Sequence, residues 1–115
     1  MPRNMSFSMT TEQIRKGTKT VTRRMGWWNL KPGEIVNACV KCMGLKKGEK
    51  IEMIRQIRVV STRGEMLCNV TRDDIIREGF PEKGRGDFIV FFMRGHKQCK
   101  GDPRATVNRI EFEYL

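Results

Sequence analysis

Residues 17–24 read Gly-Thr-Lys-Thr-Val-Thr-Arg-Arg and combine three cations with three hydroxyl groups, without an acidic residue. Lysine and arginine side chains bind phosphates, and a hydroxyl beside a base acts as a nucleophile. The stretch therefore predicts a basic cleft that binds RNA or a nucleotide. The pattern leaves open a second interpretation, an edge strand whose charges discourage aggregation. The binding residues predicted for the cleft are Lys19, Thr20, Arg23, Arg24, Trp27 and Trp28.

The two adjacent tryptophans follow this basic stretch directly. A nucleobase gains roughly 1–3 kcal/mol by stacking on an aromatic ring. Neighbouring side chains of an extended segment point to opposite faces, so we expect one indole in the core and the other at the rim of the cleft.

The overall charge also favours an anionic partner. The chain has 115 residues, with 23 lysines and arginines against 13 acidic residues, and a formal net charge of +10. A chain of this length is expected to form one domain over residues 1–115. The excess is concentrated, because residues 1–32 contain seven cations and only Glu12 as an acid. A concentrated basic face is typical of proteins that bind nucleic acid.

Four cysteines and the single histidine raise the question of a metal. Cys39-x2-Cys42 and His96-x2-Cys99 have the spacing of two half-sites for a tetrahedral zinc ion. The alternative is that these thiols are free or simply packed. No other cofactor is expected. There is no apolar run of about 18 residues and no secretory leader pattern, so we expect a cytoplasmic protein without a membrane partner.

Local signals predict a small α+β fold. A first helix is expected after Thr10, in a capping box with Gln13, and should end at Gly17. A second helix is expected to open at Thr71 and end after Glu78. Strands are predicted over Glu34–Cys42, in the second half of Ile51–Thr62, over Phe88–Phe92 and at the end of the chain. In that last strand Ile110, Phe112 and Tyr114 are expected to face inward, and Arg109, Glu111 and Glu113 outward. The expected architecture is a mixed or antiparallel β-barrel with about two short helices.

Three blocks together carry a family resemblance: Gly17–Arg24, the Leu-Lys-Pro-Gly-Glu turn at Leu30–Glu34, and Val107–Phe112. With these blocks the chain resembles the ASCH domain, a member of the PUA-like group of small β-barrels. The resemblance implies RNA binding. It also implies an alternative, because some small ASCH proteins are amidohydrolases that remove the acetyl group of N4-acetylcytidine.

In that enzymatic branch the resemblance assigns the reactive group to Lys19, Thr22 and Glu78. A threonine is a weak nucleophile unless a base takes its proton, and a lysine is such a base only when its pKa is lowered. Side chains three apart in a straight strand point opposite ways, so Lys19 and Thr22 converge only across a bend.

Overall fold

The computed structural model describes residues 2–42 and 45–115. Within these ranges five strands form one mixed sheet that curls into a half-barrel, in the order β1-β3-β4-β5-β2. β1 and β3 are parallel, and the other neighbours are antiparallel. The strands are β1 (Arg3–Ser6), β2 (Val21–Arg24), β3 (Ile35–Cys39), β4 (Met53–Met66) and β5 (Thr106–Tyr114). The expected α+β barrel architecture is confirmed.

The concave face of the sheet holds the main apolar core. Ile110 and Phe112 alternate along β5 and pack there against Ile57 and Val59 of β4. The pairing of β4 with β5 shifts register between Val59 and Ser61, and such a bulge increases the local bend that curls a sheet. The inward positions predicted for Ile110 and Phe112 are therefore correct.

Three α-helices are present in the described part of the chain: α1 (Thr11–Lys16), α2 (Arg72–Arg77) and α3 (Arg85–Gly95). Helices α2 and α3 supply residues to a second apolar cluster, in which Ile75 and Phe88 join Val107 of β5. Val107 lies on the opposite face of β5 from Ile110, so this strand is covered on both faces.

The prediction of a strand over Phe88–Phe92 is wrong, because these residues lie in α3. A short continuous apolar run has no period that separates a buried strand from a buried helix. The burial pattern is helical: Phe88 and Phe92 are one turn apart and buried, whereas Val90 is 43% exposed. The helix begins after Gly84, whose N–H donates to Asp87 Oδ2 at 3.3 Å.

Helix α1 ends at Gly17 as predicted, with a left-handed φ of 75° that glycine adopts without strain. The predicted capping box is wrong, since Thr10 makes no side-chain cap hydrogen bond. Gln13 is engaged elsewhere: its Nε2 donates to the backbone oxygen of Gly79 at 3.2 Å. This bond ties α1 to the segment that follows α2, where Glu78 lies.

None of the helices within residues 2–42 and 45–115 combines the length and apolarity that a membrane crossing requires.

The helical assignment of residues 85–95 leads to a stability prediction. Replacement of buried Phe88 by alanine should lower the free energy of unfolding by about 3–5 kcal/mol, because it leaves a cavity in the second cluster. Val90→Ala on the same helix should change it by less than about 1 kcal/mol, since Val90 faces solvent. Urea denaturation followed by circular dichroism measures both. Equal losses for the two variants would contradict this helix orientation.

Candidate active site

The site begins where the chain leaves α1. After Gly17 the backbone N–H groups of Thr18 and Lys19 both donate to the Gln13 oxygen, which turns the chain sharply before β2. The N–H of Thr20 donates to Arg77 O at 2.8 Å, and the Tyr114 hydroxyl donates to Lys19 O. These bonds fix Lys19 between the end of α2 and the end of β5. Thr22 follows three residues later on β2.

Lys19 and Glu78 form a buried ion pair. Lys19 Nζ lies 2.9 Å from Glu78 Oε1 and donates to the Glu78 backbone oxygen at 2.7 Å. The side chains are only 3% and 4% exposed. Burial lowers the pKa of Lys19; Glu78 opposes this effect, and the nearby Arg24 and Arg23 guanidinium groups add to it. The lowered pKa brings the neutral amine, which can accept a proton, closer to neutral pH.

Thr22 lies on β2 and its hydroxyl oxygen is held by Arg24. Arg24 Nε lies 3.2 Å from Thr22 Oγ1 and donates to it, while Nη2 donates to the Ser6 backbone oxygen at 2.6 Å. The guanidinium group also lies 4.7 Å from the centre of the Phe7 ring. Burial lowers the pKa of Arg24 to about 10, so this group remains cationic at neutral pH. The Thr22 hydroxyl oxygen thus accepts a hydrogen bond from a cationic group.

Lys19, Thr22 and Glu78 line one cavity of about 210 Å³. Arg23 and Arg24 also line it, so one side of the cavity is polar and charged. The rest of the lining has two parts. One is aromatic and comes from the second cluster and the end of α3: Phe80, Phe88, Phe91, Phe92 and His96. The other is residues 6–10, which connect β1 to α1. Lys19 Nζ lies 5.8 Å from the centre of the Phe80 ring, so the ammonium and the aromatic wall are neighbours.

Arg23, which also lines the cavity, is neutralised by three carboxylates. Its Nη1 lies 3.1 Å from Glu78 Oε2, and its Nη2 lies 2.6 Å from Asp74 Oδ2 and 2.9 Å from Glu65 Oε2. The Arg23 side chain is 1% exposed. Lys19 and Arg23 were both expected to meet a ligand's negative charge, but each already faces a carboxylate of the protein.

Arg109 completes this network, and its predicted outward position is wrong. The side chain of Arg109 is 6% exposed, and Nε and Nη2 donate to the two oxygens of Asp74 at 2.6 and 3.0 Å. These hydrogen bonds, reinforced by Arg23, hold the pKa of Asp74 well below its ordinary range. The alternation of β5 is real, but the face that appeared to be exposed is covered by α2.

The other residues predicted for binding lie outside the cavity lining. Thr20 Oγ1 accepts a hydrogen bond from Arg77 Nε at 3.2 Å. Trp27 packs against the main core, with the Arg3 guanidinium 4.9 Å from its ring, whereas Trp28 is 57% exposed. A core indole and an exposed indole are thus present, but the exposed one is not part of the cavity wall.

The four predicted zinc ligands do not form a metal site. Among the described residues no group of three or more His, Cys, Asp or Glu side chains has the geometry to hold a metal ion. Cys39 is buried in β3, and Cys99 Sγ lies 3.9 Å from Met25 Sδ in the second cluster. His96 Nδ1 is engaged with the backbone oxygen of Phe92 at 2.9 Å. The spacing was suggestive, but the two half-sites belong to different parts of the fold.

The sequence did not indicate that three further charged residues, Glu65, Asp74 and Arg109, belong to the ion-pair network around Arg23. Asp74 looked like a residue placed for the helix dipole, and Arg109 like the polar half of an amphipathic strand. These three residues are brought together by two features of the tertiary structure. β4 pairs with β5 so that Arg63, two residues before Glu65, is opposite Arg109, and α2 docks with Asp74 against Arg109.

Comparison with known proteins gives the fold. No protein-family model matches the chain, and no curated protein sequence matches it. Solved structures do match. Hypothetical protein PH0355 superposes with a TM-score of 0.70 at 17% identity, covering 100% of both chains. An ASCH domain from Lactobacillus crispatus JV V101 superposes with a TM-score of 0.65 at 15% identity, covering 97% of this chain and 78% of that one. The chain has an ASCH-type fold.

A third match supports the ASCH-type fold. Protein EF3133 from Enterococcus faecalis V583, which carries the family designation DUF984, has a TM-score of 0.69 at 15% identity and covers all of this chain and 80% of its own. Identities this low establish the ASCH-type architecture alone.

The buried network behind the cavity generates a prediction about acid stability. Asp74→Asn should lower the free energy of unfolding at neutral pH by about 3–5 kcal/mol, because it leaves Arg109 and Arg23 short of a buried counter-charge. The exposed neighbour Asp73→Asn, which forms no salt bridge with the described residues, should change it by at most about 0.5 kcal/mol.

The lowered pKa of Asp74 determines how the stability difference between the parent protein and Asp74→Asn changes with pH. A carboxyl whose folded pKa is depressed stabilises the fold fully above its ordinary pKa of 3.8, and this stabilisation is lost as pH falls towards the folded pKa. The gap between the parent protein and Asp74→Asn should therefore narrow progressively below about pH 4. Urea denaturation at a series of pH values measures it, and a gap that widens on acidification would contradict the assignment.

Proposed function

We propose that this ASCH-fold protein is an amidohydrolase that removes the acetyl group from N4-acetylcytidine. One observation carries the proposal: Lys19 and Thr22 of the basic stretch and Glu78, 59 residues after Lys19, line the same small cavity. An amine, a hydroxyl and a carboxylate in one pocket are the components of nucleophilic amide hydrolysis.

Thr22 is the nucleophile in this proposal. Arg24 donates a hydrogen bond to Thr22 Oγ1 and so occupies a lone pair of this oxygen. The hydroxyl proton is consequently free to point away from Arg24, towards a base. As that proton leaves, the guanidinium charge stabilises the negative charge that develops on the oxygen.

Lys19 is the general base. It lines the cavity with Thr22, its pKa is lowered by burial and by two arginines, and Glu78 fixes the position of its amine with a 2.9 Å contact. Burial is the largest influence, so the neutral amine is more accessible than in an exposed lysine. Glu78 itself is held from the other side by Arg23, so the carboxylate orients the amine and does not attack.

The reaction balances with water as the only co-reactant. Thr22 Oγ attacks the acetyl carbonyl carbon while Lys19 takes the hydroxyl proton. The C–N4 bond then breaks and Lys19 returns the proton to N4. Cytidine departs, and the acetyl group remains as an ester on Thr22. Water attacks this ester while Lys19 takes a proton from the water. The ester bond to Thr22 Oγ then breaks, Lys19 returns the proton to Thr22 Oγ, and the acetic acid that leaves ionises to acetate.

The size and lining of the cavity fit a single base with a small acyl group. Its volume of about 210 Å³ is below the range of about 300–1,000 Å³ for pockets that bury drug-sized ligands. The aromatic wall provides ring faces and edges against which a pyrimidine packs, opposite the polar residues that act on its acyl amide.

The direct test is to incubate the protein with N4-acetylcytidine and follow release of cytidine and acetate by chromatography. Thr22→Ala should reduce kcat by at least about a thousandfold, as expected for loss of a nucleophile. Lys19→Arg keeps a cation beside Glu78 but cannot deprotonate, and it should be inactive across the pH range. Thr18→Ala, an exposed threonine in the same stretch and outside the cavity lining, should retain parental kcat.

The pH profile adds an independent readout. Activity of the parent protein should rise with pH as Lys19 loses its proton, with a midpoint below the ordinary lysine pKa of 10.5. Full turnover by Thr22→Ala, or no acetate released by the parent protein, would disprove the proposed hydrolysis.

The exposed lysines outside the cavity favour a second candidate function, RNA binding. Lys19 is neutralised within the fold, but eight other lysines are exposed, and none of them forms a salt bridge within residues 2–42 and 45–115. Four of these lie in the connection between β3 and β4: Lys41, Lys46, Lys47 and Lys50. Such a surface suits the phosphate backbone of a single-stranded RNA, outside the small cavity.

Salt dependence tests this candidate. The affinity for a short single-stranded RNA should fall linearly with the logarithm of salt concentration, and each phosphate contact contributes about 0.7 to the slope. A combined Lys46→Gln, Lys47→Gln and Lys50→Gln variant should reduce the slope by about 2, whereas Thr22→Ala should leave it unchanged. Fluorescence anisotropy at several salt concentrations measures it. An unchanged slope in the triple variant would rule out this surface.

A further inference from the structure

His96 lines the cavity but has no part in the proposed hydrolysis. It follows directly after α3, and its ring lies parallel to that of Phe92 one turn earlier, with a centroid separation of 3.9 Å and an interplanar angle of 11°. Phe92 is 5% exposed and packed in the second cluster. The imidazole is therefore held on a rigid aromatic support, which reduces the entropy lost when it binds a ligand.

The backbone fixes which nitrogen of His96 carries the proton. Nδ1 lies 2.9 Å from the Phe92 backbone oxygen, one of the carbonyls that the helix end leaves without an intrahelical partner. Because a carbonyl oxygen only accepts, Nδ1 must donate, and in the neutral ring Nε2 is then a hydrogen-bond acceptor. Among the described residues nothing donates to Nε2. A residue of the cavity lining thus has a fixed tautomer and an acceptor nitrogen that no described residue occupies.

Exposure indicates that His96 lies nearer the mouth of the cavity than Lys19, Thr22 and Glu78 do. Lys19, Thr22 and Glu78 are each less than 5% exposed and lie at its floor, whereas His96 is half-buried and follows the exposed Gly95. In an acylated nucleoside the acyl amide and the sugar are attached on opposite sides of the base. A substrate whose acetyl group meets Thr22 at the floor therefore directs its sugar towards the mouth.

We propose that His96 is a specificity-determining residue whose Nε2 accepts a hydrogen bond from a ribose hydroxyl, so that the site prefers the nucleoside to the free base. The assignment rests on the proposed function, because it takes the orientation of the substrate from the position of Thr22 and Lys19. A site that hydrogen-bonds a substrate hydroxyl discriminates against an analogue without it, since its polar group is then left unpaired.

The test compares N4-acetylcytidine with the free base N4-acetylcytosine. His96→Phe keeps a ring to stack on Phe92 but has no acceptor, and it should raise KM for the nucleoside about threefold to tenfold, with kcat retained. KM for the free base should not change. His96→Gln places an amide oxygen near the former Nε2 and should recover part of the loss. Lys97→Ala, an exposed neighbour, should behave as the parent protein.

Calorimetric titration of Thr22→Ala with cytidine and with cytosine separates this inference from the proposed hydrolysis. Adding His96→Phe to this variant should weaken cytidine binding by the same factor and leave cytosine binding unchanged, whether or not the parent protein turns over acetylcytidine. Equal losses for nucleoside and base, no loss for either, or no binding of cytidine would overturn the assignment of His96. Hydrolysis with an unchanged nucleoside KM in His96→Phe would overturn it while the amidohydrolase proposal stands.

Discussion

The site depends on the two ion pairs that the Glu78 carboxylate forms. One of its oxygens pairs with Lys19 and the other with Arg23, in a setting where all three side chains are less than 5% exposed. A buried carboxylate without partners is strongly unfavourable, so the two cations and the acid require one another. The same contacts hold the amine of Lys19 at the cavity floor. Charge neutralisation and placement of the proposed base are thus achieved by a single residue.

The neutralisation continues away from the cavity. Arg23 contacts Asp74 and Glu65 as well as Glu78, and Asp74 also pairs with Arg109 of β5. Each cation therefore has at least one carboxylate within hydrogen-bond distance, which is the condition under which buried charges are tolerated. The network joins β2, β4, β5 and α2, so it also fixes how the helical layer docks on the sheet. Two cations of the basic stretch, Lys19 and Arg23, are thus part of an internal framework of ion pairs.

Local sequence signals predicted the parts of this structure that depend on local chemistry. Gly17 ended α1, Thr71 capped α2 with a 3.1 Å bond from the Asp74 N–H, and the alternation of β5 placed Ile110 and Phe112 correctly. Phe88–Phe92 was misassigned because five apolar residues in a row carry no periodicity. Arg109 was misplaced because alternation shows that a strand has two faces, but not that a helix covers the second one.

The candidate site was predictable in part for a related reason. The family resemblance named Lys19, Thr22 and Glu78 as a group, and the structure lines one cavity with them. The contact of Arg24 with Thr22 is local, since residues two apart on β2 share a face, whereas the contact of Arg23 with Glu78 follows only from the docking of α2. His96 was read as a metal ligand because its spacing to Cys99 was visible, whereas its stacking on Phe92 was not.

Lys19 and Glu78 are 59 residues apart in sequence, and the bond between them closes across β2, the long β4 and α2. The contact therefore has a high cost in loop-closure entropy, which the packing of the strands and of α2 must offset. The pairing of Lys19 with Glu78 is thus a property of the assembled fold, and no short segment of the chain contains it.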